Sequence, residues 1–424
     1  MQNNTRVVFY EPSGRGGVSQ YTYQLAESLA CNGSNVTVIT TEDYELKHLK
    51  RSFKIYMPFT KSWVKGFLNT TFSQFQKQSA KHINNPNVSK TYNILSDQKN
   101  TVNSFLKISR LWLIRIKIVF FLLLKNPHII HFQWLTDRKN DFYFMKILKI
   151  FGFTITYTAH NLLPHDSNSQ IDQSIFRKIY YISDKLIVHS DSDKKEMIDL
   201  FKIDSNKIYV VPIGSYDVLY KDKSYTKYTE RKKIGISNEK KMILFFGLIR
   251  KYKGLEYLIS AFQNIKEELD NMTLFIVGSI YNENYEDVKF YSNLINLISR
   301  DDDIICINEY VPFEKINSYF LASDLVVLPY IKTYTSAVLL AAYAAGRPAI
   351  VTDTGGLSEV VDIGKSGFIV PPKDVYALEQ AIIKTISNPD KMEEMGNYAK
   401  YLSETVYSWN RIALKTIDVY RSLN

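Results

Sequence analysis

DLVVLPYIKTYTSAVLLAAYAAGRPAIVTDTGGLSEVV, residues 324–361, contains two short apolar runs joined by an Ala-rich segment. The first run ends at Tyr330 and leads into a turn rich in hydroxyl side chains, and the Ala-rich segment follows that turn. A strand, a helix and a second strand in this order are typical of a parallel α/β sheet. The predicted helix carries no carboxylate, which raises the question of what its N-terminus holds.

The same alternation of strands and helices continues along the chain. The apolar runs are RVVFY, NVTVIT, PHIIHFQW, TITYTAH, DKLIVHS and KIYVVP, and then KMILFFGL, MTLFIVG, DIICINEY, DLVVLPY and RPAIVTD. Short apolar strands separated by helices predict two doubly wound α/β units. We predict an N-terminal domain over residues 1–212, a linker over 213–240 and a C-terminal domain over 241–405. A last helix within 406–424 either extends the second domain or crosses back to the first.

The composition predicts a globular protein, and the net charge favours an anionic partner. The chain of 424 residues is longer than one hydrophobic core usually supports, and 45% hydrophobic with 23% charged residues argues against a mainly disordered chain. The formal net charge of +10 favours nucleotides, acidic lipids or nucleic acid as partners. The basic residues are dispersed and form no recognised nucleic-acid-binding module. The two cysteines lie far apart, which argues against a disulfide framework and fits a reducing cytoplasm.

Three segments bear on the location of the protein. The N-terminal residues 1–14 contain a strand where a secretory signal needs basic and apolar regions, so we expect no export. RLWLIRIKIVFFLLLKNP, residues 110–127, is interrupted by Arg115 and Lys117, and its uncharged run is far shorter than the ~20 residues of a membrane span. We interpret it as a helix that either packs in the core or docks on a membrane. FKIYMPFTKSWVKGFL, residues 53–68, suits either packing or contact with an anionic bilayer. We expect a cytoplasmic protein at the inner face of the plasma membrane.

A glycine-rich turn follows the first predicted strand. In PSGRGGVSQYTYQLAESLA, residues 12–30, Gly14, Gly16 and Gly17 precede a helix predicted over residues 18–29. Glycines at a helix N-terminus let the backbone approach a phosphate or a sugar, although a plain strand-to-helix turn has the same pattern. The turn is not a dinucleotide-binding fingerprint, because it contains no GxGxxG.

Two cations follow the first strand of the second series. In FFGLIRKYKGLEYLISAF, residues 245–262, Arg250 and Lys253 lie between a strand and a helix that starts near Gly254. Two cations at one point neutralise a diphosphate that gains charge as it departs. We therefore expect a phosphate site here.

One histidine ends a predicted strand, and another lies within a neighbouring strand. His160 ends a strand in TYTAHNLLPHD, residues 156–166, where a histidine suits a hydrogen bond to a sugar hydroxyl or a reacting oxygen. A structural histidine is the alternative for His160 and the stronger one for His165. His131 and Gln133 alternate on another strand and are candidates to line the same cleft.

Paired carboxylates in this sequence do not indicate a metal. Asp191 and Asp193 lie between a strand and an apolar helix, where Ser and Asp side chains cap helix N-termini. We expect no metal and no cofactor.

Four motifs together resemble the family 4 glycosyltransferases of the GT-B architecture, and more closely a subset seen in bacterial polysaccharide assembly. The motifs are FGLIRKYKGLEYLISAF, YFLASDLVVLPY, GRPAIVTDTGGLSEVV and GKSGFIVPP. The resemblance covers nearly the whole chain, loosely over residues 53–124 and tightly over 241–372. It implies two Rossmann-like domains facing a central cleft, with a nucleotide sugar against the C-terminal domain and an acceptor, often lipid-linked, against the N-terminal one.

The resemblance also implies roles for single residues. Gly16 and Gly17 would face the donor's diphosphate, and residues 309–313 would lie near the base. Arg250 and Lys253 would bind the diphosphate, while His160 would approach the transferred sugar.

The chain departs from the family pattern in the stretch quoted first. The usual signature places one Glu near the donor sugar and a second Glu, eight positions on, against the ribose. Thr333 and Ala341 stand at these two places. Retention of anomeric configuration, usual for the family, is our expectation.

In the absence of these two Glu residues, the segment offers a turn rich in hydroxyl side chains and a helix N-terminus as candidate ligands. Thr335 and Ser336 form the turn, and the N–H groups of the helix that starts at Ala337 suit a phosphate. We assign this turn to the donor's diphosphate. Glu359, at the start of a further predicted helix, is either a ribose ligand or a capping residue.

These features predict metal-independent transfer of a sugar from a UDP- or GDP-linked donor. The expected acceptor is an oligosaccharide, polyprenyl-diphosphate-linked, in the assembly of a bacterial surface polysaccharide such as lipopolysaccharide, O-antigen or capsule. Contact with an anionic membrane is expected and contact with nucleic acid is not. One alternative is a nucleotide-sugar epimerase of the same architecture. The other is a non-catalytic subunit that supports a partner transferase, although the retained Arg250 and Lys253 argue against it.

Overall fold

The computed structural model describes residues 5–59, 108–163, 170–216, 225–269, 271–280, 285–299 and 301–422. The chain forms two compact units, one of residues 1–158, 168–186 and 417–424, and one of residues 159–167 and 187–416. The domain bounds predicted from the sequence stay a prediction.

The first sheet has seven strands in the described part of the chain, in the order β3-β2-β1-β4-β5-β6-β7. Its strands are β1 (Arg6–Tyr10), β2 (Asn35–Thr41), β3 (Lys54–Phe59), β4 (Ile129–Phe132), β5 (Ile155–Thr158), β6 (Lys185–Val188) and β7 (Ile208–Val210). Its helices are α1 (Gly16–Cys31), α2 (residues 108–125), α3 (Arg138–Ile150), α4 (Gln170–Ile182) and α5 (Asp191–Phe201). β1 pairs in parallel with β2 and β4, with Val8 opposite Thr37 and Ile130. The strand order reverses beside β1, which is where an open parallel sheet binds ligands.

The second sheet has six strands within the described residues, in the order β10-β9-β8-β11-β12-β13. Its strands are β8 (Lys241–Phe246), β9 (Met272–Val277), β10 (Ile304–Ile307), β11 (Leu325–Leu328), β12 (Ala349–Thr352) and β13 (Gly367–Val370). The helices that follow α5 are α6 (Lys227–Ile234), α7 (Leu255–Ile265), α8 (Tyr285–Ile298), α9 (Ile316–Ala322), α10 (Ala337–Ala344), α11 (Val375–Ile386), α12 (Pro389–Glu404) and α13 (Trp409–Arg421). The strand order reverses between β8 and β11, so loops after these two strands meet at one edge.

Helix α2 confirms the helix predicted for the apolar segment, and it has two distinct faces. Its inner face is buried through Leu111, Ile118 and Leu122, and the buried Arg115 guanidinium lies 2.6 Å from the carboxylate of Asp141 on α3. Its opposite face is an exposed apolar row, which we call the outer stripe: Leu113 (60% exposed), Ile116, Phe120 (64%), Leu123 and Leu124 (87%). Arg110, Lys117 and Lys125 on the same helix are exposed.

The eleven predicted strands are confirmed, and the structure adds β3 and β13. The helix predicted after TDTGGLS is wrong, because the chain forms a single 3-10 turn at Gly355–Leu357 and a further turn there. Part of the predicted linker is folded as α6, whose buried Arg231 lies 2.6 Å from the Asp324 carboxylate. Residues 60–68 of the basic aromatic segment, and His165, lie outside the described residues. No described helix is long and apolar enough to cross a bilayer.

Candidate active site

The turn after β8 carries Lys253 into the interior. Gly247 leaves the strand with φ +105°, a 3-10 turn covers Lys251–Lys253, and Gly254 enters α7 with φ +61°. A Cβ on Gly254 would lie 2.1 Å from the Pro329 carbonyl oxygen, so a larger residue would push the turn away from β11. Lys253 is 7% exposed as a result.

The Lys253 ammonium has an unusual environment for a buried charge. Nζ lies 5.1 Å from the ring centroid of Tyr330, and a Cβ on Gly247 would lie 2.8 Å from the same nitrogen. Within the described part of the chain, this ammonium has no hydrogen bond and no ion pair. Burial lowers the pKa of Lys253, and the nearby Arg250 lowers it further, although Tyr252 opposes them. Because an unpaired buried cation is unfavourable, we expect an anionic ligand to bind beside the Lys253 ammonium.

The N-terminus of α10 lies beside the same lysine. Its N-cap residue is Ser336, whose side chain makes no capping hydrogen bond, and the first turn has no acidic residue. The side chain of Val338 on this helix lies 3.8 Å from a Cβ built on Gly247. The buried Tyr330 hydroxyl has no hydrogen bond of ordinary geometry among the described residues, and the Ser336 hydroxyl near it lowers the pKa that burial raises. A cation, a phenol and unused helix N–H groups therefore converge.

The GGL turn after β12 packs against the hydroxyl turn. Gly355 has φ +52°, and its Cβ would lie 2.0 Å from the Thr333 carbonyl oxygen. The N–H of Gly356 donates to the Tyr334 carbonyl at 2.5 Å. A Cβ on Gly356 would lie 2.7 Å from the Ser190 Cβ and 2.9 Å from the Thr335 Cγ2. These two glycines thus let the turn around Thr335 and the start of α5 approach closely.

Glu359 caps a helix, although not the helix that the sequence indicated. Its two carboxylate oxygens accept from the N–H groups of Asp191 and Ser192 at 2.8 and 2.7 Å. Ser190 caps the same α5 by accepting from the N–H of Asp193 at 3.1 Å, as expected for this Ser/Asp cluster. The carboxylate of Glu359 therefore neutralises the α5 N-terminus. Its contact with a ribose stays a prediction.

His160 lies against a second histidine. Its Nδ1 is 3.0 Å from Nε2 of His189, and Nδ1 of His189 is 2.9 Å from the Val211 carbonyl oxygen. His189 follows β6, the strand beside β5. His131 is a core residue, because it is fully buried and its two ring nitrogens lie 2.7 Å from the hydroxyls of Tyr420 and Thr158.

The glycine turn after β1 already contains an acidic partner. Gly16 has φ +75°, and its N–H donates to the Glu45 carboxylate at 2.9 Å. The space over Gly16 and Gly17 is open, since nothing lies within 4 Å of a Cβ built on either. Glu11 is fully buried and accepts from the N–H of Gly14 at 3.1 Å, and burial raises the pKa of Glu11 to about 7. The structure therefore leaves Gly17 accessible, while one N–H of the turn is taken.

The structure brings some of the predicted residues together. The Lys253 ammonium and the side chain of Val338, in the first turn of α10, both lie within 4 Å of a Cβ built on Gly247, and Arg250 is the N-cap of the lysine's turn. Three residues of the site were not predicted from the sequence, namely Gly247, Tyr330 and His189. Gly247 lies directly after a strand within the motif FGLIRKYKG, and a glycine in this position indicates a turn at the site. The described residues hold no group of three or more His, Cys, Asp or Glu side chains arranged to bind a metal.

Family models match both halves of the chain. A model of Glycosyltransferase Family 4 matches residues 15–214, and a model of Glycosyl transferases group 1 matches residues 226–401. The chain belongs to glycosyltransferase family 4. The family resemblance found in the motifs is thereby confirmed.

Curated relatives of this family 4 chain are similar over part of their length. An uncharacterized glycosyltransferase of Methanocaldococcus jannaschii is 30% identical over 246 residues, which cover 57% of this chain and 60% of the relative. A D-inositol 3-phosphate glycosyltransferase of Corynebacterium urealyticum is 28% identical over 249 residues, 57% of either chain. The matched region thus spans less than two thirds of either relative.

Solved structures show the fold of the family 4 chain. Sucrose-phosphate synthase from Thermosynechococcus elongatus has a TM-score of 0.73 at 19% identity and covers 99% of both chains. Anabaena HepE in complex with UDP-glucose has a TM-score of 0.69 at 16% identity, over 98% of this chain and 99% of HepE. WaaG, a glycosyltransferase involved in lipopolysaccharide biosynthesis, has a TM-score of 0.62 at 15% identity, over 98 and 99%. The GT-B architecture, with two parallel-sheet Rossmann-like domains, is confirmed.

Proposed function

We propose that this family 4 protein transfers a sugar from a nucleotide-diphosphate sugar to an oligosaccharide acceptor. The observation that carries the proposal is the buried Lys253 ammonium, which lacks an acceptor in the described chain and lies beside the uncapped N-terminus of α10. A diphosphate supplies the negative charge that this arrangement requires. The complexes of HepE with UDP-glucose support a UDP-linked donor.

The chemistry of the proposed reaction is charge stabilisation on the leaving group. As the bond from the sugar to the diphosphate breaks, negative charge develops on the phosphate oxygens. Lys253, the N–H groups from Ala337 onward and the hydroxyls of Tyr330 and Ser336 would stabilise that charge. Arg250, Thr335 and the N–H of Gly17 are further proposed ligands, and residues 309–313 are the proposed neighbours of the base. The reaction needs no metal in this proposal, and retention of configuration stays a prediction.

The proposed acceptor is lipid-linked, and α2 supports contact with an anionic membrane at its inner, cytoplasmic face. The outer stripe on α2 is exposed, and Arg110, Lys117 and Lys125 lie on the same helix. Apolar side chains with flanking cations are typical of helices that lie in a membrane interface. The role of WaaG in lipopolysaccharide biosynthesis supports a place in bacterial surface polysaccharide assembly, whether O-antigen or capsule.

A direct test of the proposed function is calorimetric titration with UDP, GDP and ADP, followed by turnover assays with the matching nucleotide sugars. We expect one nucleotide to bind selectively, and we expect sugar transfer only when an acceptor is present. Conversion of the donor without an acceptor would favour the epimerase. Failure of all three nucleotides to bind would favour a non-catalytic subunit.

The membrane contact is tested with vesicles containing anionic or only zwitterionic lipids. The triple variant Leu113→Ser, Phe120→Ser, Leu124→Ser should bind anionic vesicles at least about tenfold more weakly, because burial of each apolar side chain contributes about 1.5–3 kcal/mol. Leu200→Ser, on an exposed position of α5, is the matched control. Equal sedimentation of the triple variant and the wild type would contradict the proposal.

A further inference from the structure

We propose that a cavity between α3 and α4 binds the diphosphate of an isoprenyl-diphosphate-linked acceptor. The cavity belongs to the first unit and uses no residue of the Lys253 site. Its role as an acceptor site rests on the proposed glycosyltransferase function, whereas its binding of an isoprenyl diphosphate can be tested without that function.

The cavity has the size that small ligands occupy. Its volume is about 760 Å³, and its walls come from residues between 136 and 143 on one side and between 172 and 178 of α4 on the other. Ligand pockets typically measure about 300–1,000 Å³. Residues 136–139 follow the end of β4 at Phe132. One wall therefore lies beyond the carboxyl end of a parallel strand, the edge at which open α/β sheets bind ligands.

The cavity has an excess of cationic side chains. It is lined by three cations and two carboxylates, namely Arg138, Lys139 and Lys178 with Asp137 and Asp172. Arg138 forms an ion pair with Asp172, and the Asp137 carboxylate accepts from an N–H in the first turn of α3 at 3.1 Å. In the described part of the chain, the ammonium groups of Lys139 and Lys178 have no ion pair and no hydrogen bond. These two groups are therefore available to a phosphate.

A hydroxyl group of the cavity wall also lacks a partner. Oγ1 of Thr136 is buried and makes no hydrogen bond among the described residues, while the N–H of Thr136 donates to the Asp141 carboxylate at 2.8 Å. A buried hydroxyl without a partner is unfavourable. Because a phosphate oxygen can accept from this hydroxyl, Thr136 favours a phosphate over a purely apolar ligand.

Aromatic and aliphatic side chains provide an apolar part of the lining. Phe142 and Ile175 are half-buried, and Tyr143 is 46% exposed. Such surfaces suit an isoprenoid chain, which inorganic phosphate and free nucleotides lack. The cavity thus combines cations for a diphosphate with apolar walls for the first isoprene units.

The wall formed by α3 is joined to the helix that carries the outer stripe. One carboxylate oxygen of Asp141 accepts from the N–H groups of Thr136 and Asp137 at 2.8 and 3.0 Å, and the other lies 2.6 Å from the guanidinium of Arg115 on α2. Asp141 and Arg115 are both buried, so this ion pair holds α2 against the start of α3. The proposed membrane contact of α2 would bring the cavity close to the bilayer that holds an isoprenoid chain.

The charge of the cavity favours a diphosphate over a phospholipid headgroup. A terminal diphosphate carries more negative charge than the phosphodiester of a phospholipid. The unpaired ammonium groups of Lys139 and Lys178 and the unpaired hydroxyl of Thr136 can together bind several phosphate oxygens. The acceptor's diphosphate is therefore the ligand that matches this lining.

The binding test is calorimetric titration with farnesyl diphosphate below the concentration at which it forms micelles. The wild type should bind farnesyl diphosphate at least about tenfold more tightly than farnesol or inorganic pyrophosphate, because only the first has both a diphosphate and an apolar chain. The double variant Lys139→Gln, Lys178→Gln should bind it at least about tenfold more weakly, because both unpaired ammonium groups are removed. Equal affinity of this variant and the wild type would overturn the proposal.

Two controls identify other ligands and other causes. The double variant Lys195→Gln, Lys232→Gln loses the same charge at exposed positions of α5 and α6 and should bind as the wild type does. An equal loss in both double variants would show a general effect of net charge and would overturn the cavity as the site. Displacement of farnesyl diphosphate by an equal concentration of dihexanoyl phosphatidylglycerol would assign the cavity to a phospholipid headgroup instead.

The Lys253 site is distinguished by exchanging ligands and variants. Lys253→Met should bind farnesyl diphosphate within about twofold of wild type, and the Lys139→Gln, Lys178→Gln variant should bind UDP within about twofold. If farnesyl diphosphate binding is lost in Lys253→Met and kept in the double variant, the ligand binds at the Lys253 site and the inference is wrong.

Failure of this inference and failure of the proposed function give different results. If no nucleotide binds and no sugar is transferred, but farnesyl diphosphate binds as expected, the proposed function fails and the cavity remains an isoprenyl diphosphate site. If the wild type binds a nucleotide and transfers sugar but does not bind farnesyl diphosphate, the inference fails alone. Thermal unfolding of each variant identifies any loss of folding.

Discussion

Replacement of Lys253 by Met should stabilise the protein and weaken nucleotide binding at the same time. The side chain is 7% exposed, and its ammonium has only the ring of Tyr330 as a favourable partner in the described chain. Methionine has a similar length and no charge, so it can occupy the same space without the desolvation penalty. A purely structural lysine would give the opposite sign of stability change.

The magnitude follows from two opposing effects. A cation–π contact of this kind contributes up to about 2 kcal/mol, whereas burial of an unpaired ammonium costs several kcal/mol. Desolvation is the main cause of the lowered pKa of Lys253, so burial disfavours the charged form in the folded chain. We therefore expect the free energy of unfolding to rise by about 1–3 kcal/mol in Lys253→Met. Loss of a charge-assisted hydrogen bond to phosphate should weaken UDP binding by about 1.5–3 kcal/mol, or roughly 10- to 150-fold in Kd.

The pH dependence of the effect has a definite sign. The pKa of Lys253 in the folded chain lies below its value in the unfolded chain, so the charged form destabilises the fold. This destabilisation is fully present below the folded pKa and is lost as the pH rises toward the ordinary lysine pKa of about 10.4. The advantage of Lys253→Met should therefore be largest at neutral pH and shrink in alkali.

The assay is urea denaturation at pH 7 and at pH 9.5, together with calorimetric titration of UDP. Lys251→Met is the matched control, because Lys251 lies in the same 3-10 turn with its side chain exposed. It should change stability by less than about 0.5 kcal/mol and leave the Kd nearly unchanged. A Lys253→Met variant that is less stable than wild type, and that binds UDP equally well, would show that Lys253 is structural and does not hold the diphosphate.

Four further outcomes follow from the contacts described. Gly247→Ala should lower the free energy of unfolding by about 1–3 kcal/mol in urea denaturation, because its φ is +105° and its Cβ would lie 2.8 Å from the Lys253 ammonium. Gly17→Ala should change stability by less than about 1 kcal/mol, since its Cβ enters open space, but should slow sugar transfer in a donor-turnover assay if a ligand approaches there. Glu359→Gln should cost about 0.5–2 kcal/mol by thermal or urea unfolding, since the α5 N-terminus loses a charged cap. Burial raises the pKa of Glu11 to about 7, so the folded chain binds this proton more tightly than the unfolded chain does. The protonated carboxyl should therefore add to the free energy of unfolding below about pH 4.3, and this contribution should be lost as the pH rises to 7. Glu11→Gln should remove this pH dependence of the free energy of unfolding.

The strands of both sheets could largely be predicted from the sequence, because each is a short apolar run between helical segments. The two strands that were missed lie at the edges of the sheets, where the apolar pattern is weaker. β3 reads KIYMPF, and Pro58 within it lowers its resemblance to a strand, although an edge strand tolerates proline. β13 has only four residues, one of which is glycine.

The candidate site could be predicted only in part. The position of Lys253 after a strand was predicted correctly. Its burial depends on Gly247 and on Tyr330 at the end of β11, and no local sequence pattern connects these two residues to Lys253. The His160–His189 pair depends on the adjacency of β5 and β6. The contact of Glu359 with α5 is equally non-local, so the sequence left its role open between a ribose ligand and a cap.

The outer stripe of α2 also determines how the protein behaves at high concentration. Leu113, Phe120 and Leu124 form an apolar row that faces outward on a helix already anchored on its other side by Arg115. Sulfate and similar salts strengthen attraction between such surfaces, while they screen the repulsion between molecules of like net charge. Purified protein should therefore self-associate in ammonium sulfate and disperse again in a mild detergent, a reversible colloidal response that originates in one helix face.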